Sequence, residues 1–211
     1  MNPLPMGPFR LIAADPPWQF ATFSSKGRDR CPDGPLTRNQ SRQNSPARHY
    51  DTMPLQDIKD MPVSDVAADD CLLLMWAVDP MIPQALDVGR CWGFEFKTVG
   101  FYWAKERRTT SKRGAAFDDE NKRRFPMGTG YWTRANPESC LLFTRGSPKR
   151  LATDVRKLIV APRREHSRKP DEFYSEAARL VAGPRLELFA REPREGWTVW
   201  GNETAKFEAA A

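Results

Sequence analysis

Near the start of the chain, the sequence ADPPW holds a carboxylate next to an indole ring. Asp15 follows a short apolar run, and two prolines separate it from Trp18. Each proline fixes its own φ and restricts the residue before it, so extended conformations are expected at Asp15 and Pro16. The motif then presents the Asp15 carboxylate and the Pro16 carbonyl as two hydrogen-bond acceptors beside the flat face of Trp18.

Two acceptors beside an aromatic face suit a flat heteroaromatic ring that carries an exocyclic amine, such as adenine. The amine of adenine is a poor nucleophile because its lone pair is delocalised into the ring. If Asp15 and the Pro16 carbonyl accept its two hydrogens, the nitrogen is oriented and the positive charge that develops on attack is stabilised. The alternative is a structural turn in which Asp15 caps a backbone group and Trp18 belongs to the core.

Several short apolar segments without helical periodicity are predicted to be strands buried on both faces: FRLIAA, CLLLMWAV, FEFKTVGFYWA, SCLLFTR, KLIVAP and RLELFA. Helical patterns lie between several of them. The clearest is KPDEFYSEAARLVAGP, where Pro170 suits the first turn and the final Gly-Pro pair ends the helix. A second helix is predicted from about Pro80 to Trp92. This alternation indicates an α/β fold with a mostly parallel central sheet, in which ligands gather at the carboxyl ends of the strands.

The 211 residues suit a single domain, interrupted by two long connections at about residues 22–49 and 105–130. Both connections are rich in Lys and Arg, and long loops of this kind are usually functional or disordered. A net charge of +6 favours an acidic partner such as nucleic acid. The alternatives are that the charge only keeps the protein soluble and that the loops are solvated and flexible.

The composition also argues against several classes of protein. No apolar run approaches the roughly 18 residues that a membrane span requires, and the N-terminus lacks the pattern of a signal peptide, so a cytoplasmic location is expected. The four cysteines contain no CxxC pair and only two histidines accompany them, so no metal site is expected. The thiols are expected to be reduced, with Cys71 and Cys140 in the core.

The motifs and their order resemble those of the MT-A70 family of N6-adenine methyltransferases. DPPW is the catalytic signature of that family, and HYDTM, LLLMWA, GTGYW, ESCLLFTRG, HSRKPDEFY, RLELFAR and WTVWGNE follow in the family's order. The resemblance covers most of the chain. It implies a Rossmann-like methyltransferase fold with the permuted β-group order, in which the catalytic motif precedes the cofactor-binding strand. It also implies S-adenosylmethionine as cofactor and direct methyl transfer to an adenine amine, without a metal.

The resemblance assigns roles to individual residues. The adenine-binding catalytic set is the motif itself, Asp15, Pro16, Pro17 and Trp18. The residues implied to hold the cofactor are Asp15, Lys169, Phe189, Arg191, Asn202 and Glu203. Lys169 would bind the methionine carboxylate, and its position at the N-terminus of a helix suits an anion. The resemblance also places Tyr50 over the substrate pocket. Separately, the charge of the second long loop leads us to expect phosphate contacts from Arg107, Arg108, Arg123 and Arg124.

Some features depart from the family's pattern or leave alternatives open. Ala190 stands where the family usually has glycine, no acidic residue precedes the catalytic strand, and Trp76 suits either a place near the cofactor or the core.

DNA is the expected substrate because the chain lacks the extensions of the messenger-RNA enzymes; RNA is the alternative. A non-catalytic nucleic-acid-binding scaffold and methylation of a protein amide are further alternatives, but scaffolds lose DPPW, and amide enzymes usually carry Asn-Pro-Pro-Tyr.

Overall fold

The computed structural model describes residues 3–19, 52–107, 124–128, 130, 132–165 and 168–207. Within these ranges the strands are β1 (Phe9–Ala14), β2 (Ala67–Ala77), β3 (Glu95–Glu106), β4 (Glu138–Arg145), β5 (Leu158–Pro162), β6 (Arg185–Leu188) and β7 (Thr198–Trp200). They form one sheet in the order β5-β3-β4-β2-β1-β6-β7. All neighbouring pairs are parallel except those of β4, which is antiparallel to both β2 and β3. The predicted α/β fold with a mostly parallel sheet is confirmed, and β7 is an additional strand.

Burial on both faces, which was predicted for every strand, holds only at the centre of the sheet. The residues of β1 are buried except Arg10, and β2 is buried from Cys71 onwards. By contrast, exposed and buried residues alternate along β5, and much of β3 is exposed. The prediction is wrong for these two strands because β5 forms the edge of the sheet, where one face of the neighbouring strands stays open to solvent.

The helices occupy the two faces of the sheet. They are α1 (Leu55–Lys59), α2 (Val63–Val66), α3 (Ile82–Cys91), which follows a 3₁₀ turn at Asp79–Met81, and α4 (Asp171–Leu180). Both predicted helices are confirmed, with Pro170 as the N-cap of α4. Within the described ranges, no helix is long and apolar enough to cross a membrane.

Side-chain alternation along the central strands builds two hydrophobic cores. On β1, Ile12 contributes to the core beneath α1 and α3, whereas Leu11 and Ala13 contribute to the core beneath α4. The predicted core cysteines are fully buried, Cys71 in the first core and Cys140 in the second. Because both faces of β1 are packed, the backbone position at its carboxyl end is determined from both sides.

The reversed β4 changes which residues meet at the carboxyl edge of the sheet. Parallel strands end at this edge, as β1 does just before Asp15, but β4 begins there, with Glu138 paired to Trp103 of β3. The start of β4 therefore lies at the same carboxyl edge as the end of β1.

The predicted loop at 105–130 starts later than expected, because β3 continues through Glu106. The predicted loop at 22–49 lies outside the described residues.

Close packing between α3 and β4 gives a testable prediction at Gly89. A Cβ atom on Gly89 would lie 2.3 Å from Cε1 of the fully buried Phe143. Overpacking costs about 1–3 kcal/mol, against the roughly 1 kcal/mol that alanine gains over glycine in a helix. With the ring buried the cost should prevail, so Gly89→Ala should lower the free energy of unfolding measured in urea. The double variant Gly89→Ala/Phe143→Leu should lose less stability than the sum of the losses of the two single variants. An unchanged or raised stability in Gly89→Ala would contradict this packing.

Candidate functional site

The site centres on an ion pair between the ends of two distant segments. Lys169, which precedes the N-cap of α4, donates a hydrogen bond of 2.8 Å from Nζ to Oδ2 of Asp15. A second carboxylate, Glu138, lies 3.3 Å from the same Nζ. The Lys169 side chain is only 7% exposed, and a buried charge is tolerated when it is paired. The structure thus brings together two of the sequence-predicted residues, Asp15 and Lys169, and adds a third group.

Sequence reasoning missed Glu138 and its second partner, Lys105. Lys105 Nζ lies 2.5 Å from Oε1 of Glu138, so each carboxylate oxygen of Glu138 faces a different lysine. Burial alone would raise the pKa of Glu138, but the charges of Lys169 and Lys105 outweigh it and lower the pKa to about 2. Glu138 is therefore ionised at neutral pH. Its place in the site follows from the reversal of β4, which an expectation of parallel strands does not include.

The DPPW motif is anchored by its own tryptophan. Trp18 is 3% exposed, and its Nε1 donates to the carbonyl of Trp76 at 3.0 Å. The indole is thus anchored in the core, as the structural alternative for Trp18 expected, and its place among the adenine-binding residues stays a prediction. The carbonyl of Pro16, expected to be displayed, accepts the N–H of Trp18 at 2.8 Å, and that of Pro17 accepts the N–H of Met53 at 3.0 Å. Each carbonyl keeps a second lone pair.

Next to the ion pair, a cleft opens at the carboxyl end of β6. Its lining combines cations, carboxylates and two aromatic rings: Asp15, Arg168, Lys169, Tyr174, Glu187, Phe189, Arg191 and Glu192. Four of these, Asp15, Lys169, Phe189 and Arg191, were predicted to hold the cofactor. A cleft with opposite charges on its walls is suited to a ligand that itself carries both charges.

Glu187 is a buried carboxylate of this cleft that sequence reasoning also missed. The hydroxyl of Tyr174 donates to its Oε1, whereas Oε2 lies 3.8 Å from Nε of Arg194 and accepts no hydrogen bond within the described part of the chain. Burial raises the pKa of Glu187 to about 7, although the Tyr174 hydrogen bond and the Arg194 charge oppose that rise. An acidic residue inside the apolar run of β6 was the available signal.

The chain turns sharply after β6, at the predicted cofactor residue Phe189. Its φ is +63°, which is strained for a bulky side chain, and its ring packs against Trp200 at 5.8 Å between centroids. Ala190 then donates its N–H to the Trp200 carbonyl. The close approach here is made by Gly201, where a Cβ atom would lie 2.8 Å from the Ala190 oxygen. Alanine at 190 is therefore accommodated because the glycine stands on the facing segment.

The remaining predicted cofactor residues lie on one side of the cleft. Arg191 lines it, and its NH1 lies 3.5 Å from Oε2 of Glu203. Glu203 also pairs with Lys206 at 2.6 Å, while Asn202 is exposed beside it. The structure thus places Glu203 next to a residue that lines the cleft, and neither Glu203 nor Asn202 is part of the cleft wall.

The expected substrate-contact residues are only partly described. The N–H of Arg107 donates to the Arg124 carbonyl at 3.1 Å, so these two exposed residues lie together at the end of β3. Tyr50, Arg108 and Arg123 lie outside the described residues. Among the described residues, no cluster of three or more His, Cys, Asp or Glu side chains could hold a metal ion, and a metal-free site stays a prediction.

The raised pKa of Glu187 predicts a pH dependence of stability. Because its folded pKa, about 7, exceeds the ordinary 4.5, its protonated form stabilises the fold at low pH, and this contribution is lost as the pH rises through 7. Glu187→Gln stays neutral and should avoid that loss. Its stability relative to wild type should rise between pH 5 and pH 8, by on the order of 1–3 kcal/mol in urea unfolding. The exposed Glu172→Gln is the control; a pH-independent difference for Glu187→Gln would contradict the assignment.

Comparisons with known proteins agree with this geometry. The sequence model of the MT-A70 family matches residues 9–203. The chain is 30% identical to the Type II methyltransferase M.MunI of Mycoplasma sp, over 95% of this chain and 79% of that protein. It is 28% identical to the mouse N(6)-adenine-specific methyltransferase METTL4, over 95% of this chain and 38% of that protein. It is 29% identical to the human N(6)-adenosine-methyltransferase catalytic subunit METTL3, over 94% of this chain and 28% of that protein.

The chain therefore spans most of one relative and well under half of the other two. The family match extends from β1, ahead of the DPPW motif, to Glu203 beyond β7, so it includes every residue of the cleft. The sheet, the ion pair at its carboxyl edge and the match over nearly the whole length agree, and the chain belongs to the MT-A70 family of methyltransferases.

Proposed function

We propose that the protein transfers a methyl group from S-adenosylmethionine to the N6 amine of adenine in nucleic acid, with DNA as the favoured polymer. The observation that carries the proposal is the ion pair of Asp15 with the buried Lys169, which joins the DPPW motif to a cleft whose walls carry both charges. RNA is the alternative polymer, because relatives named as adenosine methyltransferases share nearly the same identity. We favour DNA because, of the three relatives described, the Type II methyltransferase is matched over the largest share of its length.

The residues of the cleft fit S-adenosylmethionine. Its methionine end carries a carboxylate and an ammonium group, and the cleft offers Lys169 to the first and Asp15 and Glu187 to the second. The buried Oε2 of Glu187, which accepts no hydrogen bond within the described part of the chain, is a suitable acceptor for an ammonium group. Arg191, Asn202 and Glu203 would hold the ribose and the polar end, and Phe189 would pack beside them. When bound, S-adenosylmethionine supplies an electrophilic methyl group.

Asp15 would act on the acceptor amine. A carboxylate at the end of β1 accepts one amine hydrogen, and the second lone pair of the Pro16 carbonyl can accept the other. Both groups are held rigidly, because Trp18 is anchored in the core and the two prolines restrict the backbone. Acceptors fixed in advance stabilise the positive charge that develops on the amine nitrogen without reorganising at the moment of reaction. Pro17 and Trp18 thus contribute by holding the acceptors.

The exposed arginines at the end of β3 would hold the nucleic acid. Arg107 and Arg124 lie together at the same edge of the sheet as Asp15, where a bound strand would place its phosphates. An adenine in a duplex must leave the base stack to reach a cleft, at a cost of roughly a few kcal/mol that is smaller for single strands. Arg108, Arg123 and Tyr50 stay in the proposal as further contacts, as does a cytoplasmic location.

The proposal predicts that Asp15 is required for transfer. Asp15→Asn keeps the shape but not the charge, and loss of one fixed stabilising group lowers kcat by roughly 10²- to 10³-fold. The assay is transfer from labelled S-adenosylmethionine to unmethylated DNA and RNA, single- and double-stranded, with the product nucleoside identified by mass spectrometry.

The matched control is Asp87→Asn, an exposed aspartate on α3, which should retain wild-type transfer. N6-methyladenine formed by the wild type and the control, but not by Asp15→Asn, would support the proposal, and the preferred polymer would decide between DNA and RNA. Cofactor binding without transfer to any of the four polymers would contradict adenine methylation in nucleic acid. Absence of cofactor binding would instead indicate a scaffold.

A further inference from the structure

Four charged side chains of alternating sign form a continuous row at the edge of the sheet. Lys105 pairs with Glu138, Glu138 pairs with Lys169, and Lys169 pairs with Asp15, at 2.5, 3.3 and 2.8 Å. The two ends of the row differ in the roles assigned to them. Asp15 belongs to the catalytic motif, whereas Lys105 and Glu138 belong to β3 and β4 and have no role in the function described above.

We propose that Glu138 and Lys105 are positioning residues that determine how the Lys169 ammonium is shared between Glu138 and Asp15. The proposal rests on the proposed function, in which Asp15 must offer its oxygens to the acceptor amine and Lys169 must bind the cofactor carboxylate. Both tasks depend on Lys169 not being held by Asp15 alone. Glu138 competes for the lysine, and Lys105 sets the strength of that competition.

The contacts of Glu138 support an action through Lys169 and not on a ligand. One of its oxygens faces Lys105 and the other faces Lys169, so both are engaged by cations. With both lysines adjacent, Glu138 remains ionised and competes with Asp15 as a full negative charge. Lys169 is further confined by the ring of Trp76, whose centroid lies 5.3 Å from Nζ. Both carboxylates thus lie within reach of the Lys169 ammonium.

Lys105 is fixed by its backbone as well as by its charge. Its N–H donates to Oδ1 of Asn136 and its carbonyl accepts from Nδ2, both at 3.0 Å. The same Nδ2 donates to the Pro126 carbonyl at 2.8 Å. Asn136 therefore joins the end of β3 to the segment that leads into β4, just ahead of Glu138. These hydrogen bonds restrain the backbone from which the charged side chain of Lys105 extends.

The two substitutions are expected to change different quantities: Glu138→Gln mainly kcat, and Lys105→Met mainly the affinity for the cofactor. In Glu138→Gln the lysine loses one carboxylate and stays on Asp15, so an oxygen needed by the amine remains occupied and kcat falls. The cofactor carboxylate then meets a lysine with one competitor fewer, so its affinity is unchanged or higher. In Lys105→Met, Glu138 loses one of its two cations and draws Lys169 towards itself, so cofactor affinity falls while Asp15 is left free.

The experiment measures kcat for methyl transfer and, separately, the calorimetric Kd of S-adenosylhomocysteine for the wild type and both variants. We expect Glu138→Gln to lower kcat by about tenfold or more with no weaker Kd, and Lys105→Met to weaken Kd by about threefold or more with a smaller loss of kcat. Glu95→Gln and Lys97→Met, which remove an exposed ion pair on the same strand, are the matched controls and should leave both quantities unchanged. Parallel changes in both variants, or none, would overturn the proposal.

The binding measurement separates this proposal from the proposed function. If the wild type binds S-adenosylhomocysteine but transfers no methyl group to nucleic acid, the proposed function fails, and the expected difference in Kd between the two variants still tests the positioning. If Glu138→Gln does not fold, Lys105→Met and Lys105→Arg provide the test. The arginine keeps the charge and should restore the wild-type Kd; failure of that restoration would overturn the role of Lys105.

Discussion

The rest of the site depends on the ion pairs of one lysine, whose ammonium is buried at the carboxyl edge of the sheet. Lys169 is nearly inaccessible to water, and a buried cation persists only where carboxylates neutralise it. Asp15 and Glu138 come from the ends of two different strands, so the charge of Lys169 ties β1, β4 and the start of α4 to one another. The two packed cores hold the ends of β1 and β4 in place, so the fold positions Asp15 and Glu138 around Lys169.

One reversed strand has large consequences for that edge. If every strand were parallel, the edge would carry only residues that follow strands, as Asp15 follows β1 and Phe189 follows β6. The antiparallel β4 adds a residue that begins a strand, Glu138, and through it Lys105. On the other side, the strained turn at Phe189 directs the chain from β6 towards Arg191, which completes the cleft. The site that results carries cations and carboxylates side by side, and only part of it follows from a motif.

The sequence was sufficient to predict what depends on local patterns. Apolar runs located the main strands, the Pro170 helix had clear start and stop signals, and DPPW with Lys169 indicated the two groups that form the central ion pair. It could not predict what depends on tertiary arrangement. The direction of β4 has no local signal, so Glu138 was missed. For Trp18 the motif left a place beside the substrate and a place in the core open, because nothing in it shows that the indole N–H binds the Trp76 carbonyl.

The measurement that tests the account most directly is the calorimetric affinity of S-adenosylmethionine for the wild type and for Lys169→Met. Methionine keeps the apolar stem and removes the charge, and hydrogen bonds to charged groups contribute about 1.5–3 kcal/mol, so the affinity should fall roughly 10- to 100-fold. Lys157→Met, which removes a lysine that binds Thr98 on the surface, should bind as the wild type does. Equal affinity in Lys169→Met and the wild type would contradict the central claim that the buried lysine holds the methyl donor.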